Sequence, residues 1–230
     1  MLVTPYFIFL RLQKMATTSI RIILARCVGK NLQKIKTHHG IDIVDESDYK
    51  DKLIISSFRN PYYWYRSWWV FTNRNNEYSR KKNYELHDDP LLFQNYMLRL
   101  KNDPSYLSKY ARYKTRPYYK NIGLLTHMYL NMYFKNQQNL NDININDLLM
   151  YDKKYCCVDN WLFVETFAND MQELLEKFNM INEISSIYNT HIRLNKYRPL
   201  KEYYTQEIFD YVRKTDKFIL QKFNYSFPFE

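Results

Sequence analysis

The chain has 230 residues, 34 of them basic and 24 acidic, which leaves a formal charge of +10 at neutral pH. At 46% hydrophobic it can build a core, so wholesale disorder is excluded, and the lack of a long apolar run excludes a transmembrane helix. Three glycines, 23 tyrosines and abundant Asn, Ile and Lys read as the imprint of an AT-rich coding sequence, which weakens the positive charge as a sign of a partner.

The N-terminal MLVTPYFIFLRLQK has no basic region ahead of its apolar stretch and no small-residue cleavage site, which argues against a secretory signal. Tyr6 to Leu12 predicts a short buried strand. QKMATTS follows as a tight loop, and IRIILARCVGKNLQKI then places Ile20, Ile23, Leu24, Cys27, Val28 and Leu32 at helical spacing. Thr17, Thr18 or Ser19 is expected to cap that helix. KLIISSF, Lys52 to Phe58, predicts a second strand, and Pro61 opens a helix through YYWYRSWWVF. Asn73 to Asp89 reads as a polar loop. Helices are predicted over Pro90 to Leu100 and Asn121 to Phe134, and NQQNLNDININD as a loop with one short element. Trp161 to Thr166 is a third strand, Asn169 to Phe178 a helix, and Glu202 to Phe223 a long amphipathic helix. No repeat or linker divides the chain, so one domain over residues 1–230 is expected. The alternation of strands and helices predicts an α/β protein with a central parallel sheet and helices on both faces. Cys27, Cys156 and Cys157, odd in number and two of them adjacent, make no disulfide framework; a soluble, cytoplasmic protein is expected.

The first strand–loop–helix unit carries the sharpest chemistry. A loop handing a strand to a helix aims several N–H groups at one point, and the helix dipole adds positive potential there. Lys14 supplies a cation, and Thr17, Thr18 and Ser19 supply hydroxyls. The glycines of a Walker loop are missing, and an ordinary capped turn explains these residues as well when they are taken alone. Arg59 ends the second strand, and Ser67 follows eight residues later on the next helix; a guanidinium and a hydroxyl so placed suit a second phosphate. Ligands of open α/β sheets gather at these carboxyl edges, so a ligand with two separated phosphates is expected.

QKMATTSI resembles the 5′-phosphosulfate loop of sulfotransferases, commonly Pro-Lys-Ser/Thr-Gly-Gly/Ser-Thr-Ser-Leu/Ile, and SFRNPYYWYRSWW resembles their 3′-phosphate motif, commonly RNPYxRxxSxY. WLFVETFANDMQELLEKFNM and LNKYRPLKEYYTQEIFDYVRKTDKFILQKFNYSF are similar to later segments of the same family, closest to its carbohydrate-type and bacterial-type branch. Order and spacing agree from about Phe7 to Phe227. The resemblance implies a three-layer α/β/α sheet of the kind found in nucleotide kinases. It also implies 3′-phosphoadenosine 5′-phosphosulfate as donor, released as 3′,5′-adenosine bisphosphate, and a hydroxyl acceptor on a carbohydrate or glycoconjugate. No metal is implied. Lys14, Met15, Ala16, Thr17, Thr18 and Ser19 would hold the 5′-phosphosulfate, and Arg59 with Ser67 the 3′-phosphate. The basic stretch of Asn195, Lys196, Arg198 and Lys201 resembles one that in some relatives faces the nucleotide, though a solvated surface run explains it equally.

The chain departs from the loop pattern at Gln13, in place of Pro, and at Ala16, in place of Gly. The β-carbon at 16 is expected either to open the loop slightly or to require a negative φ. His38 and His39, in KTHHGID, lie where bacterial-type enzymes of the family it resembles often carry a histidine ahead of the second motif. An imidazole has the right pKa to take a hydroxyl proton, so His39, with His38 behind it, is the expected general base. Glu165 matches a family glutamate at a strand end and is expected to accept backbone hydrogen bonds. His87, His127 and His191 read as structural, and the tyrosines from 106 to 119 as packing or a stacking platform. Two other readings stand beside this one. A basic nucleic-acid-binding protein would use the charge and aromatics, yet no recognisable RNA- or DNA-binding signature is present and the basic residues are spread along the chain. A donor-fold protein without catalysis would bind the nucleotide and not turn over.

Overall fold

The computed structural model describes residues 1–29, 33–34, 40, 49–74, 89–103, 121–135, 144–180 and 198–228. In chain order the elements begin with β1 (Leu2–Val3), β2 (Phe7–Leu10), α1 (Thr17–Val28), β3 (Gln33–Lys34) and β4 (Leu53–Phe58). Helices α2 (Pro61–Arg74), α3 (Pro90–Asn102), α4 (Leu124–Tyr133) and α5 (Leu148–Tyr155) follow. Strand β5 (Asn160–Phe163) and helices α6 (Phe167–Lys177), α7 (Gln206–Thr215) and α8 (Lys217–Lys222) complete the chain. Two compact units emerge, one of Met1–Arg59, Tyr129–Gln138 and Met150–Leu194, the other of Asn60–Met128, Asn139–Leu149 and Asn195–Glu230.

The first unit holds a five-stranded sheet of order β3-β1-β2-β4-β5. Three of its strands run parallel: β2 pairs with β4 and β4 with β5, with Leu10 opposite Ser56 and Ser57 opposite Leu162. The sheet is not parallel throughout, because β1 runs antiparallel to β2 and β3. Thr4 makes that reversal. Its Oγ1 accepts the N–H of Phe7 at 2.9 Å and donates to the Phe7 carbonyl at 2.8 Å, closing a tight turn around Pro5. Strand β5 is shorter than Trp161 to Thr166, and Glu165 lies exposed past its end. Asp170 accepts the Phe163 N–H at the strand terminus, at 2.5 Å.

Side chains alternate across the sheet, so odd and even positions of β4 meet different neighbours. On one face Phe7, Phe9, Ile55 and Leu162 form a core with Ile20, Ile23 and Leu24 of α1 and Met171, Leu174 and Leu175 of α6. On the other, Phe58 and Trp161 meet Tyr129 of α4, each at a ring separation of 5.8 Å, and Trp161 meets Tyr133 at 5.0 Å. Burial keeps both tyrosines far above the ordinary phenol pKa, so each remains a hydrogen-bond donor. Tyr129 spends its proton on Asp152, at 2.6 Å.

In the second unit α2 starts as Pro61 predicts, with Asn60 as its cap: Oδ1 accepts the Tyr62 N–H at 3.1 Å. The long C-terminal helix expected over Glu202 to Phe223 is instead a 3₁₀ turn (Leu200–Glu202), α7 and α8, interrupted at Asp216. The periodicity continues through the break, and the cause lies elsewhere in the chain. Asp216 is fully buried; it accepts the Tyr65 hydroxyl at 2.6 Å, the Thr126 N–H at 2.8 Å and the Thr126 hydroxyl at 2.7 Å. A β-carbon at Gly123 would collide with the same carboxylate. Helix α5 was not predicted, since it grows directly out of an Asn-rich run. Among the described residues no helix is long and apolar enough to cross a membrane, and none of Cys27, Cys156 and Cys157 forms a disulfide.

Burial raises the native pKa of Asp216 above the carboxylate value of 3.8, against the hydrogen bonds that lower it. The native state therefore binds this proton more readily than the unfolded chain. Its contribution to stability grows as pH falls through the native pKa towards 3.8 and is lost as pH rises through it. Urea unfolding from neutral pH down to about pH 4 should then show the wild type gaining stability relative to Asp216→Asn, which cannot titrate. Asp216→Ala, which strands the Tyr65 and Thr126 donors, should lose roughly 3 kcal/mol at neutral pH.

Candidate anion-binding edge of the sheet

Strands β2, β4 and β5 are parallel neighbours, so the loop after β2, Arg59 after β4 and the turn after β5 all leave the same carboxyl edge. Adjacent strands are about 4.8 Å apart, which sets the spacing of those exits. Helix α1 begins at Thr17 with Ala16 as its N-cap, and no side chain caps it. The cap expected from Thr17, Thr18 or Ser19 is therefore absent, because a capping residue needs extended backbone and the residue in that place is an alanine at φ 53°. The first intrahelical bond is Ile20 N–H to the Ala16 carbonyl, at 3.1 Å. The amides of Thr17, Thr18 and Ser19 precede it, and the first turn holds no acidic residue. Such an end favours an anion electrostatically.

The backbone of the loop is unusual. Among the described residues five non-glycine positions have positive φ: Lys14 (68°), Ala16 (53°), Asn121 (71°), Asn179 (56°) and Asn224 (51°). Asparagine tolerates this conformation, and two of the three have an evident task. Asn179 and Asn224 close α6 and α8, where Met180 N–H reaches the Leu175 carbonyl at 2.8 Å and Tyr225 N–H the Leu220 carbonyl at 2.9 Å. Lys14 and Ala16 have no such intrinsic preference, and both lie in one loop. The alternative of a negative φ at Ala16 is thus overturned: the alanine adopts a left-handed conformation, with a cost of about 1–2 kcal/mol.

Two serines of β4 hold this connection. Ser56 Oγ donates to the Leu10 carbonyl at 3.0 Å and lies 2.7 Å from the Tyr133 hydroxyl, which donates to it. Ser57 Oγ donates to the Met15 carbonyl at 2.5 Å. Both serines and Met15 are buried. Sequence reasoning passed over them, although two adjacent hydroxyls inside an apolar strand were a visible signal. Arg11, the first loop residue, is also buried, and its guanidinium is held below its ordinary pKa first by burial and then by the neighbouring cation of Arg21. Lys14 and Ala16 are half-buried, Thr17 is buried, Thr18 is exposed and Ser19 is half-buried.

Arg59 is half-buried and closes the first unit, whereas Ser67 belongs to the second, buried on α2. Within that second unit, the helix that carries Ser67 also holds the basic C-terminal stretch. Arg66 Nη1 donates to the Arg198 carbonyl at 3.1 Å, with its guanidinium over the rings of Tyr63 and Tyr203, and Tyr204 donates to the Tyr62 carbonyl at 2.8 Å. Trp64, also on this helix, is buried and stacked on Trp68. Lys196 and Asn195 lie outside the described residues, two and three positions before Arg198. His38 and His39 also lie outside them, as do His87, His191 and the tyrosines from 106 to 119. Gly40, directly after His39, is described: a β-carbon there would come within 2.9 Å of the Asn131 and Met132 carbonyls, so this position must stay small. His127 is buried on α4.

No known protein family matches the chain, and neither does any curated protein or solved structure. The geometry of the edge therefore bears the functional argument.

Replacing Ala16 by glycine removes the β-carbon from a left-handed residue. Ala16→Gly should leave the fold intact and raise stability by about 0.5–1 kcal/mol, the left-handed penalty of alanine less the extra unfolded-state freedom of glycine. Chemical denaturation checks the sign; a loss of more than about 1 kcal/mol, the normal cost of glycine in regular structure, would show that Ala16 is not strained.

Proposed function

We propose that the protein is a sulfotransferase of three-layer α/β/α fold, moving a sulfuryl group from 3′-phosphoadenosine 5′-phosphosulfate to a hydroxyl on a carbohydrate or glycoconjugate. The observation that carries this reading is the β2–α1 loop, where left-handed backbone at Lys14 and Ala16 leads into a helix whose first turn has neither a side-chain cap nor an acid. The residues suit a phosphosulfate: oriented amides from the helix start, hydroxyls from Thr17 to Ser19, and the Lys14 ammonium. Sulfuryl transfer builds negative charge on the bridging and leaving oxygens, and preorganised donors with a fixed cation stabilise it. Arg59 and Ser67, on the second motif, take the 3′-phosphate, and Lys196 in the basic stretch supports the nucleotide. His39, or His38 in its place, accepts the acceptor's proton as its oxygen attacks sulfur, and the bond from sulfur to the bridging oxygen breaks to release 3′,5′-adenosine bisphosphate.

A ligand that binds only the native state stabilises it, by about 2.7 kcal/mol at one hundred times its dissociation constant. 3′,5′-Adenosine bisphosphate should raise the melting temperature accordingly, and 5′-AMP at the same concentration much less. Equal shifts would exclude the two-phosphate pocket.

Lys14→Ala should reduce turnover by two to three orders of magnitude, roughly 3–4 kcal/mol, with a smaller loss of nucleotide affinity. His39→Ala should lose roughly 10²–10⁴-fold with nucleotide binding nearly unchanged, and turnover of the wild type should fall as an imidazole protonates at lower pH. An acceptor screen with labelled donor provides the assay. Near-normal turnover in Lys14→Ala would remove this lysine from the site, and an inactive His38→Ala beside an active His39→Ala would exchange the two histidines.

A further inference from the structure

We propose that Ser57 is a positioning residue of the anion loop, holding the Met15–Ala16 peptide so that the Ala16 N–H faces the anion. The proposal rests on the anion-binding reading of this loop. Strand β2 ends at Leu10, opposite Ser56, so Ser57 is the first residue of β4 beyond the β2 ladder. Its neighbour there is the curled loop, and its hydroxyl takes the Met15 carbonyl at 2.5 Å. In a planar trans peptide the carbonyl and the following N–H point in opposite directions. A Met15 carbonyl drawn inward to Ser57 therefore turns the Ala16 N–H away from β4, and the carbonyl oxygen away from any ligand. Rotating this peptide plane would relax φ at Ala16 from 53° towards the negative values alanine prefers, while aiming a carbonyl dipole at the anion. The Ser57 hydrogen bond opposes that rotation. With 1% exposure and its proton committed to Met15, Ser57 acts through the loop and not by contact.

Calorimetric titration with inorganic pyrophosphate, and separately with 3′,5′-adenosine bisphosphate, tests this on the full chain, with thermal melts reporting the fold. Ser57→Ala should bind pyrophosphate about tenfold more weakly, the scale of one buried hydrogen bond. The double variant Ser57→Ala with Ala16→Gly should recover most of that loss, because glycine holds positive φ without the hydroxyl. Ser57→Cys keeps the volume with a weaker donor, so it should fall between the two even where the alanine variant folds poorly. Wild-type affinity in Ser57→Ala or Ser57→Cys, or no recovery on adding Ala16→Gly, would overturn the proposal. The donor assignment fails separately: a Ser57-dependent pyrophosphate site without preference for 3′,5′-adenosine bisphosphate over 5′-AMP sinks the donor and upholds the serine. A preference for the bisphosphate that Ser57→Ala leaves unchanged does the reverse, and a wild type that binds neither probe overturns both.

Discussion

A buried hydroxyl inside a sheet is tolerated only where an acceptor meets it, and β4 carries two, Ser56 and Ser57, at the end of an otherwise apolar strand. Because successive residues face opposite sides of the sheet, the two cannot share an acceptor. Ser56 finds the Leu10 carbonyl on the face where Tyr133 packs, and Ser57 finds the Met15 carbonyl on the face of α1. One contact fixes where β2 ends and the other fixes the middle of the loop. Between these points the chain has only four residues, Arg11 to Lys14, to turn from strand to helix. That short span explains why the turn passes through left-handed backbone at residues without an intrinsic taste for it. It also ties the two parallel strands at the level where the candidate site opens, so the loop inherits the rigidity of the sheet.

The second unit is organised by a different buried polar group. Asp216 gathers the Tyr65 hydroxyl from α2 and both Thr126 donors from the start of α4, and it does so from the junction of α7 and α8. A carboxylate this deep is expensive unless its lone pairs are filled, and here three donors fill them. Gly123 is small because the carboxylate occupies the space a side chain would need. Helix α2 is thereby fixed midway along its length, and its Asn60 cap fixes its start. Arg66 and Tyr62 on the same helix then hold the chain at Arg198 and Tyr204. The basic stretch thus has a defined anchor on the helix that bears Ser67, even though most of its charges lie in exposed positions.

Legibility in the sequence followed the length and contrast of each signal. The runs of β2, β4 and α2 are apolar, bounded and long enough for periodicity to decide, and they form where expected, whereas α1 begins where expected but ends at Val28, capped by Gly29, and Gln33–Lys34 of the expected helix lie in β3. Strands β1 and β3 have two residues each, too few for any pattern, and β1 depends on a Thr4 hydroxyl whose role appears only once the turn has closed. The break at Asp216 was illegible for another reason. Thr215-Asp216-Lys217 interrupts neither charge pattern nor amphipathic period, and what bends the chain are donors on two residues, 90 and 151 positions away. At the end of β5 the first turn of α6 brings Asp170 onto the Phe163 N–H, an acceptor that no strand-end pattern announced. At the candidate site the residue types were readable and the backbone was not. Lys and Ala do not announce positive φ as Gly or Asn would, so the loop's conformation became visible only in three dimensions.

That conformation joins two other local costs at the same place. Arg21 sits in the second turn of α1, at the positive end of the helix dipole, where a cation is unfavourable. Arg11 is buried beside it, so two like charges approach where solvent screening is reduced. The helix start lacks the side-chain acceptor that most helices of its kind recruit. Each feature by itself lowers stability by a modest amount, and a protein has many ways to lose one such cost by substitution. Their coincidence at one strand end is the informative point, because the electrostatic costs among them share one remedy, a negative charge. An anion at the loop would accept from the uncapped amides and turn the dipole and both arginines favourable. The net charge of +10, spread along the chain, has no such focus; the electrostatic case for an anion comes from these few cations and dipoles and where β4 holds them.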